Sequence, residues 1–120
     1  MADYRLADAE AKFADLIWEN APVNSTELVR LSQDVMKWKK STTYTVLKRL
    51  CNKGLFEVED AVVSALITRD DYLARQSRRY VEDTFGGSLP HFLASFIGGK
   101  KLSAKQAEEL IRLIAEHKEG

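Results

Sequence analysis

The residues best equipped for chemistry lie between positions 37 and 53, in the run Lys37-Trp-Lys-Lys-Ser-Thr-Thr-Tyr-Thr-Val-Leu-Lys-Arg-Leu-Cys-Asn-Lys53. Six Lys or Arg (37, 39, 40, 48, 49 and 53) occur there without an Asp or Glu, in a chain of zero formal net charge, so the positive charge is local. From Ser41 onward the spacing predicts a helix: Thr43, Val46, Leu47, Leu50 and Cys51 recur along one buried face. The opposite face presents Ser41, Tyr44, Thr45, Lys48 and Asn52, with Thr42 and Arg49 on its flank. Hydroxyls, an amide, cations and an aromatic ring make a surface suited to the phosphates and base edges of a nucleic-acid groove. A solvated basic helix carries the same charge signature. The neighbouring elements decide between the two.

Composition narrows the field. A chain of 120 residues makes one domain, or one small domain with an appendage, and 45% apolar with 30% charged residues is ordinary for a soluble globular protein. No apolar run approaches the roughly 20 residues of a membrane span. Met1 to Asp8 has neither the basic start nor the apolar core of a signal peptide, and the simplest expectation is a cytoplasmic protein with no membrane partner. Cys51 is the only cysteine, which excludes an intrachain disulfide and a thiolate metal site, and on the apolar face it reads as a small core residue. His91 and His117 are far apart in sequence, and no glycine-rich phosphate loop is present. No metal or cofactor is expected, and too few groups remain to assemble a catalytic site. The acid pairs Asp70-Asp71 and Glu108-Glu109 lie near helix starts, where the helix dipole is sufficient explanation.

Several elements must position the basic helix. The first helix is expected from about Asp8 to Asn20, with Leu6, Phe13, Leu16 and Ile17 on one side and Trp18 off that stripe, packing on a later strand or a partner. Ala21-Pro22 ends it. Asn24 with Glu27 forms a capping box for a second helix, Val23 staples to Leu28, and Leu28, Leu31 and Val35 form its apolar face. Met36 to Lys40 reads as a short polar connection. Two short helices and a turn, the second bearing groove-reading side chains, make a helix-turn-helix. Lys53-Gly54 closes the third helix. Residues 55–59 and 63–68, broken at Asp60-Ala61-Val62, alternate as a hairpin with Phe56, Val58, Val63, Ala65 and Ile67 inward.

The expected fold is therefore mainly α with a small β-hairpin: a winged helix-turn-helix domain over residues 1–69, followed by a helical region over 70–120. In that second region Leu73, Ser77, Tyr80, Val81 and Thr84 line one helix that stops at Phe85-Gly86-Gly87. Ser88 caps a helix holding Phe92, Leu93, Phe96 and Ile97, and Ser103 with Gln106 caps a last one holding Ala107, Leu110, Ile111 and Ile114. Three short amphipathic helices have too little core of their own. They need a partner surface, most simply the same segment of a second copy through Leu73, Tyr80, Val81, Phe85, Phe92, Phe96, Leu110 and Ile114. A monomer in which they fold back on the winged domain is the alternative.

Along these residues the sequence resembles the penicillinase-repressor group of bacterial transcription regulators, with its methicillin-resistance and copper-responsive relatives. Leu6-Ala-Asp-Ala-Glu10 through Leu16-Ile-Trp18 resembles the family's first helix, which ends in an apolar-apolar-Trp triplet. Asn24-Ser-Thr-Glu27-Leu28 is similar to its second-helix start. Thr42-Thr-Tyr-Thr45-Val-Leu-Lys-Arg49-Leu50, followed by Lys53-Gly54-Leu55, is similar to the recognition helix, typically Thr-Val-Tyr-Thr, an Arg-Leu pair and Lys-Gly. Phe85-Gly-Gly-Ser-Leu89 and the Leu102-Ser103 helix resemble its dimerisation part. The likeness runs in order over essentially the whole chain.

The resemblance implies a homodimeric repressor on dyad-symmetric double-stranded operator DNA, not an enzyme, with Lys39, Lys40, Ser41, Thr42, Tyr44, Thr45, Lys48 and Arg49 toward DNA. Arg49 neutralises a phosphate or pairs with an acid of the first or second helix. Tyr44 packs on a sugar or thymine methyl or supports the helix. Three departures stand out. The hairpin carries Glu57, Glu59 and Asp60 where the family wing carries Arg or Lys, so the wing is expected to add little to DNA contact. The paired cysteines of copper-responsive relatives are absent. Penicillinase-type members are relieved by a regulatory protease cutting an Asn-Phe bond, and the matching place here is Ser95-Phe96, which keeps the Phe and not the Asn. The acidic wing and zero net charge also suit a second class, a winged-helix protein-interaction module or anti-repressor that does not bind DNA.

Overall fold

The computed structural model describes residues 5–120; Met1 to Tyr4, the start of the expected first domain, lie outside the described residues. The element order is α1 (Asp8–Asn20), β1 (Val23–Asn24), α2 (Ser25–Met36), α3 (Lys40–Asn52), β2 (Phe56–Glu59), β3 (Val62–Ala65), α4 (Arg69–Phe85), α5 (Leu89–Ile97) and α6 (Ala104–His117). It is the mainly helical architecture with a small sheet that a winged helix requires, followed by a helical region. The described residues divide into two compact units, one reaching to Arg79 and the other Tyr80–Gly120, a division that falls within the α4 sequence.

The core of the first unit follows from helical and strand periodicity. Phe13, Ala14 and Ile17 of α1, Leu28 of α2, Leu50 of α3, and Leu55, Phe56 and Val63 are essentially inaccessible to water. Each fully buried large apolar side chain contributes about 1.5–3 kcal/mol relative to exposure, and that cluster fixes where α3 lies. The sheet runs antiparallel in the order β1-β3-β2. Phe56 pairs with Ala65 and Glu59 with Val62, so the hairpin turns over two residues, Asp60 and Ala61, both left-handed at φ 50 and 63. That is the twist-matched two-residue turn. The break is thus one residue shorter than expected, and Val62 belongs to the strand.

Four details differ from the sequence expectation. Val23 and Asn24 form a third strand against Val63 and Val62, which a two-residue segment after a proline does not advertise. Asn24 does cap α2, accepting from the Thr26 N–H at 2.9 Å, but Glu27 turns outward to Arg30 and leaves the box half made. Val35 is 61% exposed, and the buried place on that face is taken by Ser32. The connection before α3 is not merely polar: Lys37 ends α2 in the left-handed region, and the half-buried Trp38 ring packs on Phe13 with centroids 5.1 Å apart. Trp18 settles on β2 and α4, stacking on Phe56 and Tyr72 and donating its indole N–H to the Ile67 carbonyl at 3.0 Å.

In the second unit α5 is capped by Ser88, which accepts from the His91 N–H, and α6 by Ser103, which accepts from the Gln106 N–H. Tyr80, Phe85, Phe92 and Phe96 form a chain of ring contacts at 5.6–6.1 Å, mostly edge to face. Yet no side chain of α4, α5 or α6 is buried. Among the described residues no helix is long and apolar enough to cross a membrane.

Candidate nucleic-acid interface

The positive stretch folds as expected into α3, beginning one residue early, at Lys40 with Lys39 as N-cap. Its inner face is Thr43, Val46, Leu47 and Leu50, all buried, with Cys51 half-buried at the edge of the core. Burial, and then the charge of Glu57, push the Cys51 thiol up, so it is a packed group and not a thiolate. Gly54, at φ 88, ends the helix: its N–H donates to the Cys51 carbonyl and the Leu55 N–H to that of Leu50, a Schellman pair.

The outer face is continuous and open. Lys39, Lys40, Ser41, Thr42, Tyr44, Thr45, Lys48, Arg49 and Asn52 are all exposed, without an acid among them. Tyr44 retains 38% of its surface, with the Lys40 ammonium 6.0 Å from its ring centroid, within cation–π reach. The Thr45 hydroxyl donates back to the Ser41 carbonyl at 2.9 Å, so its proton is committed within α3 and its oxygen is left to accept. Arg49 makes no ion pair within 4 Å among the described residues; its charge acts on Glu10 only at longer range. The pairing alternative for Arg49 is therefore not realised as a direct contact.

Two of the locks on this helix carry no apolar signature. Thr43 donates to the Ser32 hydroxyl at 2.9 Å and lies 3.2 Å from the Lys39 carbonyl, joining α2 and α3 through a dry polar contact. At the other end Lys53 donates to the Arg5 carbonyl at 2.8 Å and to Glu10 Oε1 at 3.4 Å, tying α3 to the start of α1. Lys53 thus differs from the other five cations of the run, although composition alone does not distinguish it. Ser32 was legible in principle, four residues after Leu28 and hence on the same side; Glu10 and Lys53, 43 positions apart, left no local signal.

The wing presents the opposite charge. Glu57, Glu59 and Asp60 are exposed and make no ion pair within 4 Å among the described residues. Of the five hairpin residues expected inward only Phe56 and Val63 are buried: Val58, at 46%, and Ala65 are exposed, and Ile67 is half-buried. In the helical region Leu73, Tyr80, Phe96 and Ile114 are exposed, at 43–73%, and Val81, Phe85, Phe92 and Leu110 are half-buried. Ser95 and Phe96 are both exposed on α5, Phe96 at 73%.

The profile of the penicillinase repressor family matches this chain over residues 6–116. The chain is also 26% identical over 118 residues to a penicillinase repressor of Bacillus licheniformis, covering 95% of this chain and 92% of that protein.

Proposed function

The chain belongs to the penicillinase repressor family, and on that premise we propose that it is a homodimeric repressor, not an enzyme, that grips dyad-symmetric double-stranded DNA through α3. The observation that carries this reading is the acid-free outer face of α3, with Lys40, Lys48 and Arg49 around Ser41, Thr42, Tyr44 and Thr45. Cations neutralise phosphates and release counterions, while hydroxyls and the Tyr44 ring meet base edges and sugars. Residues 1–69 serve as the DNA-binding domain and 70–120 as the dimerisation region. Supporting the dimer, α5 and α6 expose Leu89, Phe96, Ile111, Leu113 and Ile114 at 53–73%, an apolar surface unusual for a monomer. A two-fold dimer then presents two α3 helices to a two-fold operator.

Charge reversal tests it. Lys40→Glu with Lys48→Glu lowers affinity for a dyad duplex from the upstream region of its own gene on the order of 100-fold, because two cations beside phosphates become like charges. Undiminished binding by that variant removes α3 as the DNA-reading element.

Relief by a regulatory protease at Ser95-Phe96 belongs to the same reading, supported by the exposure of both residues. Intact-mass spectrometry after induction gives fragments ending at Ser95 and starting at Phe96; an uncut chain under derepressed conditions removes it. The unpaired acids of the wing favour one second reading, a protein-interaction module without DNA binding. That module would keep its partner in the Lys40→Glu, Lys48→Glu variant.

A further inference from the structure

Lys53 sits in the same positive run as Lys48, yet its surroundings are different. Its ammonium donates to the Arg5 carbonyl at 2.8 Å and to Glu10 Oε1 at 3.4 Å. The same Glu10 oxygen accepts the Ala7 N–H at 3.1 Å and so caps α1. The two side chains are 30% and 14% exposed, against 41–68% for the other ion pairs, Arg30 with Glu27 and Asp34 and Arg69 with Asp15. Exposed pairs contribute little; a shielded one with shared hydrogen bonds holds its geometry. Lys53 is the C-cap of α3, about 20 Å along the axis from Lys40 at the helical rise. At its near end α3 is held by the Thr43–Ser32 hydroxyl pair. The Glu10–Lys53 clamp is the polar tie at its far end.

From this geometry we propose that Glu10 and Lys53 are positioning residues for DNA recognition: they set the tilt of α3, and Lys53 contacts no phosphate. The inference rests on the DNA-binding reading and deepens it, since it divides the basic run into contacting and positioning cations. A reading helix must be held to within a fraction of an ångström for base contacts to form, whereas phosphate attraction tolerates a shift. Loss of the clamp therefore reduces discrimination between operator and random DNA and leaves the salt dependence intact.

The experiment is anisotropy titration of an upstream operator duplex and a random duplex across a salt series. It compares the wild-type chain with Glu10→Gln, Lys53→Met, their double variant, Lys53→Arg and Lys48→Met, at a temperature where circular dichroism shows each fully folded. Glu10→Gln and Lys53→Met each lower the operator-to-random ratio about 5-fold, the double variant is no worse than either, and Lys53→Arg recovers most of the loss. Their salt slopes stay at the wild-type value, while Lys48→Met lowers the slope by about 0.9. A slope for Lys53→Met that falls as for Lys48→Met overturns the proposal, because Lys53 then touches a phosphate. Wild-type ratios in both clamp variants overturn it as well, leaving the pair a matter of stability alone. A wild-type chain that does not discriminate between the duplexes removes the DNA reading and this inference with it.

Discussion

At the scale of single residues, partner and burial decide what a charge does. Lys48 and Lys53 are five residues apart, about 1.4 helical turns, and chemically identical, but one is exposed and the other is committed to Glu10 and the Arg5 carbonyl. Glu10 itself is held below the usual carboxylate range, first by the hydrogen bond from the Ala7 N–H, then, against an opposing effect of burial, by the charges of Lys53 and Arg49. A carboxylate whose folded pKa is depressed stabilises the fold above its unfolded pKa, and that contribution is lost as pH falls through the folded value. Urea unfolding across pH 3 to 7 therefore gives a shallower acid-side decline for Glu10→Gln than for the wild-type chain; identical profiles would show that the clamp adds no pH-dependent stability. The Ser32–Thr43 pair is a second residue-scale device. Ser32→Ala leaves the Thr43 hydroxyl to the Lys39 carbonyl alone and costs about 1 kcal/mol in the same assay, and no change at all would show that the hydroxyl pair is not a lock.

At the scale of elements, α1, α3 and the helix ends were legible in the sequence because each has a period or a cap. Asp8–Asn20, the Lys53-Gly54 stop and the Ser88 and Ser103 caps stand where spacing put them. The features without a local signal depend on contacts distant in sequence. The strand at Val23 exists only because Val63 lies beside it, and Trp38 is an anchor only because Phe13 receives its ring. Val35 shows the reverse error: its spacing fits the apolar face of α2, but it lies one turn beyond the core and is left in water. The wing carries an element-scale prediction. With Glu57, Glu59 and Asp60 exposed and unpaired by any described cation, phosphates near the hairpin would be repelled. Changing all three to Lys leaves operator affinity unchanged or raises it, as read by anisotropy, whereas a fall in affinity would place the acids in a productive contact with DNA.

At the scale of the whole molecule, the two units carry different kinds of surface. The first buries a continuous core and exposes the positively charged face of α3; the second, Tyr80–Gly120, buries no side chain and exposes Phe96 at 73% and Ile111 at 68%. On the proposed reading a second copy covers that apolar surface, and the dimer is the working unit. Phe96→Glu with Ile111→Glu shifts the sedimentation coefficient from dimer to monomer at micromolar concentration and abolishes preference for a two-half-site duplex over a single half-site. A variant that still sediments as a dimer would move the interface elsewhere. The exposed cations and hydroxyls proposed to read DNA were legible from the run at 37–53, because an acid-free amphipathic helix advertises its outer face; the Glu10–Lys53 clamp was not, since the two residues meet only in the fold. The proposed function has α3 hold DNA through its cations and select a sequence through contacts to base edges. Its most direct test is anisotropy titration of the wild-type protein with the duplex from upstream of its own gene and with a random duplex, at several salt concentrations. Selective binding to the upstream duplex, with affinity falling steeply and linearly in log salt, is the predicted result. Equal, weak binding to both duplexes would contradict the claim and favour a protein-interaction module.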